Sequence, residues 1–305
     1  MSVTANITNI SRCSLHDGPG LRTVVYFKGC SLHCMWCHNP ETISSKKEIM
    51  FRPEKCICCG KCIEVCPKSY RIKNGKIDFL RENCKGCGKC AEECPSTAIS
   101  IAGNSMTVDE AFSEIVKDAH YYTENGGGVT FSGGECLLQA DFTAKLAKKC
   151  KEAHINTAIE SAFFVPYANI EKVLPYIDFV FADLKIPDDK LHQKYTGASN
   201  EMIIENIRKI SNIHKCITIR IPLIPGVNDS EECMKAFSQI INTFGNGIVG
   251  VELLKYNYMA GSKYHLVGRQ YTDFGGTSQS DECVENLCRV LKENLSDKIN
   301  VYFVK

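Results

Sequence analysis

Two cysteine runs of identical spacing limit what this chain can fold into more than any other feature. Cys56, Cys59, Cys62 and Cys66 follow the pattern C-x2-C-x2-C-x3-C and precede Pro67. Cys84, Cys87, Cys90 and Cys94 repeat that pattern 28 residues later and precede Pro95. A third group, Cys30, Cys34 and Cys37, is spaced C-x3-C-x2-C with no fourth cysteine beside it. These eleven belong to a total of 19 cysteines in 305 residues. Disulfides would need an oxidising compartment, and residues 1–9 show neither the basic nor the apolar region of an export signal. An odd total also fits complete pairing badly, and a chain this long can bury a core without covalent staples. Regular spacing in a reducing setting points to metal, so a cytoplasmic protein is expected.

The C-x2-C-x2-C-x3-C-P run is a ferredoxin-type signature. In it three cysteines of one run and the last cysteine of the other hold each [4Fe–4S] cluster. That arrangement places Cys56, Cys59, Cys62 and Cys94 on one cluster and Cys84, Cys87, Cys90 and Cys66 on a second. Cys58 could replace Cys59, and spacing alone leaves that open. Structural zinc is the rival explanation, but it does not call for eight cysteines with a doubled x3-C-P ending. Three thiolates at Cys30, Cys34 and Cys37 would leave one iron open, as a catalytic centre requires. Trp36, just before Cys37, is either part of that centre or a core aromatic.

Past residue 105 the pattern alternates between strand and helix. Thr107–Glu110 forms a capping box before an apolar stripe of Val108, Phe112, Ile115, Val116 and Ala119. Strands are expected at 23–28, 129–132, 157–160, 179–185, 216–223, 248–254 and 301–304. Helices are expected near 140–153, 168–177, 200–212, 229–244 and 281–295. About six βα units imply an α/β fold with a parallel sheet, here a partly closed barrel. Residues 50–103 interrupt the series as a small inserted domain, built around metal with few apolar residues of its own; 1–49 and 104–305 make the barrel. Polar residues collect where strands end, the usual place for chemistry in such barrels: Gly133, Gly134 and Glu135; Glu160 and Ser161; Asp183 and Lys185; Arg220; and Asn257. Lys plus Arg (36) against Asp plus Glu (35) leaves a net charge of +1, which argues against nucleic acid or an anionic membrane as partner. No run of 18 or more apolar residues suggests a span. The other eight cysteines (13, 58, 136, 150, 216, 233, 283 and 288) read as small buried hydrophobes.

Together, Asp17-Gly-Pro-Gly20, the C-x3-C-x2-C group, Gly126–Glu135 and Arg220-Ile-Pro-Leu-Ile-Pro-Gly-Val-Asn-Asp229 resemble the glycyl radical enzyme activating enzymes of the radical S-adenosylmethionine (SAM) superfamily. The doubled ferredoxin motif resembles the long subgroup of that family. The resemblance implies a partial (β/α)6 radical SAM barrel with a ferredoxin-like insert, three [4Fe–4S] clusters, and SAM on the open iron. It implies reductive cleavage of SAM to a 5′-deoxyadenosyl radical, which takes hydrogen from a backbone glycine of a partner glycyl radical enzyme. A flavodoxin or ferredoxin would supply the electron.

The same resemblance assigns Gly133, Gly134 and Glu135 to the SAM amino group, and Glu160 and Ser161 to holding SAM. Asp183 and Lys185 fall near the SAM carboxylate, with Lys185 as its cationic partner, Arg220 as a further carboxylate contact, and a place for a monovalent cation. Asp17 meets the partner's glycine loop, Trp36 borders the cofactor, and Asn257 stands near the adenosyl group. Three positions depart from the family pattern. Cys136 replaces Pro, Glu160 replaces Asp, and Asn257 replaces a histidine. Other readings are a radical SAM enzyme of another type, an electron carrier using residues 56–94 alone, and a zinc-binding module.

Overall fold

The computed structural model describes residues 3–304. Its thirteen strands are, in chain order, β1 (Thr4–Ser14), β2 (Arg22–Phe27), β3 (Glu48–Phe51), β4 (Tyr70–Lys73), β5 (Lys76–Phe79), β6 (Ile99–Ala102) and β7 (Asn104–Thr107). They continue with β8 (Gly128–Gly133), β9 (Asn156–Ser161), β10 (Phe179–Asp183), β11 (Ile217–Pro222), β12 (Ile248–Leu254) and β13 (Asn300–Phe303). Nine form one sheet in the order β13-β12-β11-β10-β9-β8-β2-β1-β7. From β2 to β13 all neighbours are parallel. Seven parallel strands joined by six crossovers match the expected βα series, with boundaries within two residues. One face of these strands is apolar and the other carries the polar groups: Ile217, Ile219 and Ile221 share a face of β11 and are fully buried, whereas Thr218 and Arg220 point the other way.

Amphipathic helices supply the outer layer. Ala140–Glu152 buries Ala140, Phe142, Leu146, Ala147 and Cys150, and Glu201–Ser211 buries Ile203, Ile207 and Ile210. The capping box at Thr107 is present, with both reciprocal hydrogen bonds made. Several elements have no counterpart among those expected from the sequence. β1 and β7 extend the sheet by antiparallel pairing beyond β2. In β1 only Ala5 and Ile7 are buried among polar residues, which leaves little periodicity to read. Asp189–Thr196 also forms a helix, capped by the Asp188 side chain.

β3 and β6 pair antiparallel and close the base of the insert; β4 and β5 form a hairpin inside it. The insert has more apolar packing than expected: Ile49, Phe51, Tyr70, Ile77, Ala98 and Ile99 pack with Cys62 and Cys90 into a core separate from the barrel's. Tyr70 stacks on Phe79 at 4.7 Å between centroids. Cysteine burial also differs from expectation. Cys136, Cys150 and Cys288 are buried as small hydrophobes, but Cys216 and Cys233 are only half-buried, and Cys13, Cys58 and Cys283 are exposed. Cys13 (φ 63°) lies at an irregularity of the β1–β2 ladder.

Candidate active site

Beyond the C-terminal ends of the parallel strands lies a cavity of about 620 Å3, within the range of small-molecule sites. Cys30, Cys34, Trp36 and Cys37 line it from the loop after β2. Gly133 and Gly134, Glu160 and Ser161, Asp183 and Lys185, Arg220 and Glu252 line it from β8 through β12, and Val304 follows β13. Residues from both the second and the last strand of the barrel therefore border one space, so the sheet curls around it. His16 and Asp17 join from the β1–β2 loop.

Electrostatics decide what this space can hold. Burial pushes the Cys30 and Cys34 thiols up to about 12 and that of Cys37 to about 11. Three sulfurs facing one cavity are a donor set for a soft metal cluster, which would draw off the thiol protons on binding. Lys185 and Asp183 pair at 2.7 Å. Burial opposes the Lys185 ammonium, but Asp183 and Cys34 outweigh it and hold the charge. Burial, then repulsion from Glu160, raises Asp17. Glu160 is pushed up by burial but held below its usual range by Arg220 and Ser132.

Arg220 is the hub of this network. Its Nε donates to Glu252 at 2.7 Å, one terminal nitrogen pairs with Glu160, and the other donates to the His16 carbonyl at 3.0 Å. Its guanidinium lies 4.0 Å from the centre of the Phe181 ring.

The two ferredoxin-type runs repeat each other in detail. The backbone N–H of Cys58 donates to Cys56 Sγ at 3.4 Å, and that of Gly86, its counterpart, donates to Cys84 Sγ at 3.3 Å. Both residues have positive φ, 53° and 67°. Only the second requires glycine for space, because a Cβ on Gly86 would meet the Lys47 carbonyl oxygen at 2.4 Å. Cys56, Cys59, Cys62 and Cys94 line one small cavity, closed by Ile77, Ala98 and Ile99. The Cys58 sulfur turns instead to the Gly75 carbonyl, at 3.5 Å. This soft, all-sulfur donor set with N–H groups aimed at sulfur suits an iron–sulfur cluster.

Comparisons with known proteins agree with this geometry. Residues 77–237 match the Radical SAM superfamily, 48–95 a 4Fe-4S dicluster domain, and 16–70 a 4Fe-4S single cluster domain. The chain is 39% identical over 296 residues to the trans-4-hydroxy-L-proline dehydratase activating enzyme of Clostridioides difficile, covering 96% of this chain and 98% of that protein. It is 41% identical over 272 residues to the (2S)-3-sulfopropanediol dehydratase activating enzyme of Klebsiella oxytoca, covering 87% and 86%. The chain belongs to the activating enzymes of glycyl radical enzymes, within the radical SAM superfamily. The fold is also that of a radical SAM methyltransferase from Sphaerobacter thermophilus (TM-score 0.56, 14% identity, 98% of this chain and 77% of that one).

Of the residues expected at the SAM site of this activating enzyme, all but one border this strand-end cavity. Glu135 is the exception. Its carboxylate is fully buried and accepts from Ser161 Oγ at 2.9 and 3.0 Å, Ala162 N at 3.1 Å and Leu137 N at 3.2 Å. It braces the ends of β8 and β9 together, and burial lifts it to about 7. The glycines before it answer to the neighbouring chain: a Cβ on Gly133 would meet Phe27 N at 2.3 Å, and one on Gly134 the Gly29 oxygen at 2.2 Å. Three donors of Arg220 are already engaged, so it is a bracket rather than a free fork. Trp36 faces the cavity and also packs against Tyr195 and Phe274. Asn257 is exposed on the rim, where its side chain accepts from Met259 N at 3.0 Å and its carbonyl meets His38 Nε2 at 2.8 Å. Glu252 was missed; a carboxylate inside the apolar run Val251–Leu254 was the available signal. Arg22 was missed too: fully buried, it donates to Thr130 Oγ1 at 2.7 Å and to the Pro19 carbonyl at 3.1 Å, holding the Asp17 loop.

Proposed function

We propose that this activating enzyme uses three [4Fe–4S] clusters: one on Cys30, Cys34 and Cys37, one on Cys56, Cys59, Cys62 and Cys94, and one on Cys84, Cys87, Cys90 and Cys66. The carrying observation is that the three-cysteine loop borders the same cavity as the residues at five successive strand ends. When bound there, the first cluster and SAM together supply the 5′-deoxyadenosyl radical that takes hydrogen from a backbone glycine of a partner glycyl radical enzyme.

The chain's residues bind and orient. Lys185, kept charged by Asp183, pairs with the SAM carboxylate. The N–H groups of Gly134 and Glu135 are taken by Phe27 and Gly29 carbonyls, so this loop receives the SAM ammonium on its own carbonyl oxygens. Glu160 and Ser161 form the adjoining wall, and Glu160 with Asp183 offers carboxylate oxygens to a monovalent cation. Trp36 and Asn257 flank the adenosyl side, and Asp17 presents the mouth to the partner's glycine loop. Glu135 acts by holding Ser161.

A one-electron carrier such as a flavodoxin or ferredoxin provides the electron, in a cytoplasmic setting that keeps eleven ligand thiols reduced. No helix among the described residues is long and apolar enough to cross a membrane. Relatives act on different partners, including choline trimethylamine-lyase and benzylsuccinate synthase. Which partner this chain serves is read by electron paramagnetic resonance: mixing the reduced protein and SAM with a candidate should produce a glycyl radical. Cleavage of SAM with no radical on any glycyl radical partner would favour a radical SAM enzyme of another type.

A further inference from the structure

Glu48 opens β3, the strand leading into the insert, and its carboxylate is shared by two cations. It accepts from Lys28 Nζ at 2.9 Å and from Arg269 Nη2 at 2.9 Å. The Lys28 side chain is fully buried. The chain leaving the insert closes on the same lysine, because a Cβ on Gly103 would meet Lys28 Cδ at 2.5 Å. Both connections of the insert thus converge on one ion pair, whose lysine is buried and whose carboxylate is half-buried.

The same two cations also reach forward. Lys28 Nζ donates to the Glu41 carbonyl at 2.6 Å, and Arg269 donates to the Pro40 carbonyl. Pro40 and Glu41 end the loop that carries Cys30, Cys34 and Cys37. That loop is closed by Gly29 N to Thr42 O at 2.7 Å and Cys30 N to Ile43 O at 2.9 Å. A buried ammonium is stable only with its counter-charge and acceptors in place, so removing Glu48 frees both cations that grip the loop. Arg81 adds a second tie across the same junction, donating to Ile49 O at 2.7 Å and to Leu266 O.

We propose that Glu48 is a positioning residue that couples the root of the insert to the Cys30–Cys37 loop, through Lys28 and Arg269. Neither Glu48 nor Lys28 borders the strand-end cavity. The second readout below rests on the reading of this loop as the SAM-binding cluster loop; the first does not.

The test is anaerobic hydrogen exchange on the full-length, iron-reconstituted protein and its Glu48→Gln and Glu48→Ala variants. Glu48→Gln keeps the side-chain size and decides the matter if the alanine variant folds poorly. Residues 29–43 should exchange about tenfold faster or more in Glu48→Gln, together with 48–51 and 99–102. Acceleration confined to 48–51 and 99–102 overturns the proposal, because Glu48 would then only anchor the insert. The second readout is the SAM-induced change in the electron paramagnetic resonance signal of the reduced protein, which should weaken several-fold in Glu48→Gln. A wild-type protein whose signal ignores SAM defeats the cluster-loop reading, while the exchange result still decides the coupling.

Discussion

Arg220 shows how a buried charge is kept useful in this cavity. A lone guanidinium there would be costly to desolvate, and so would Glu160 or Glu252. Paired, they fix one another and draw the His16–Asp17 loop toward β11. Lys185 carries the next step, since Asp183 keeps it charged while leaving the ammonium on the cavity wall. Lys185→Met is expected to weaken SAM binding about 10- to 100-fold, the worth of one charge-assisted hydrogen bond. Titrating the cluster signal with SAM measures this; unchanged affinity would remove Lys185 from the site.

The positions of Asp183, Lys185 and Glu160 on the cavity were legible, because their motifs sit at strand ends. The direction of the Glu135 carboxylate could not be read, because spacing gives only its position in the chain. Glu252 and Arg22 have no motif. Their roles come from burial beside partners 32 and 108 residues away.

At the level of elements, the doubled cysteine run folds into two matching turns, and the last cysteine of the second crosses to the first. Cys94 borders the cavity of Cys56, Cys59 and Cys62 as the ferredoxin spacing implies. The cavity and the Cys58–Gly75 contact together separate two neighbours that spacing left equivalent. Cys58→Ala should keep its full iron content, whereas Cys59→Ala should lose about a third, one cluster of three. Iron and sulfide analysis of anaerobically reconstituted variants checks this, and equal losses would reverse the choice.

The edge strands were illegible for a different reason. β1 is held as much by polar ties as by apolar periodicity, among them Arg12 with Asp118, which in turn accepts from Thr23 Oγ1 at 2.7 Å. The Arg12 hydrogen bond holds Asp118 below the ordinary carboxylate value of 3.8. A lowered folded pKa means this contribution is complete above the unfolded value and is lost as pH falls through the folded one. Asp118→Asn should therefore cost about 1–2 kcal/mol near neutral pH. It should also flatten the decline in stability below about pH 4. Denaturant melts across pH test it, and an unchanged acid limb would mean that other carboxylates govern it.

At the scale of the molecule, the barrel and the insert are stabilised by different means. The barrel's core runs continuously from Ala5 to Val301. The insert's core is small, so the clusters proposed on its eight cysteines would carry a large share of its stability. Anaerobic iron chelation should therefore melt residues 48–102 while the parallel sheet persists, as seen by exchange protection in β8 to β12. Loss of both together would make the insert part of the barrel's folding unit. The expected division into barrel and insert rests on the ferredoxin-type spacing and the βα periodicity occupying different stretches of the chain. The polar joint between them, Lys28, Glu48 and Arg269, was not, since its members are up to 241 residues apart in the chain.

The central claim is that the open-cluster loop and the strand-end residues form one SAM-cleaving site. Its most direct measurement is anaerobic incubation of the reduced, reconstituted protein with SAM, following 5′-deoxyadenosine by chromatography. Formation of 5′-deoxyadenosine and methionine in equal amounts, abolished in Cys34→Ala, is the expected result. No 5′-deoxyadenosine from fully reconstituted wild-type protein, or an undiminished yield from Cys34→Ala, would contradict it.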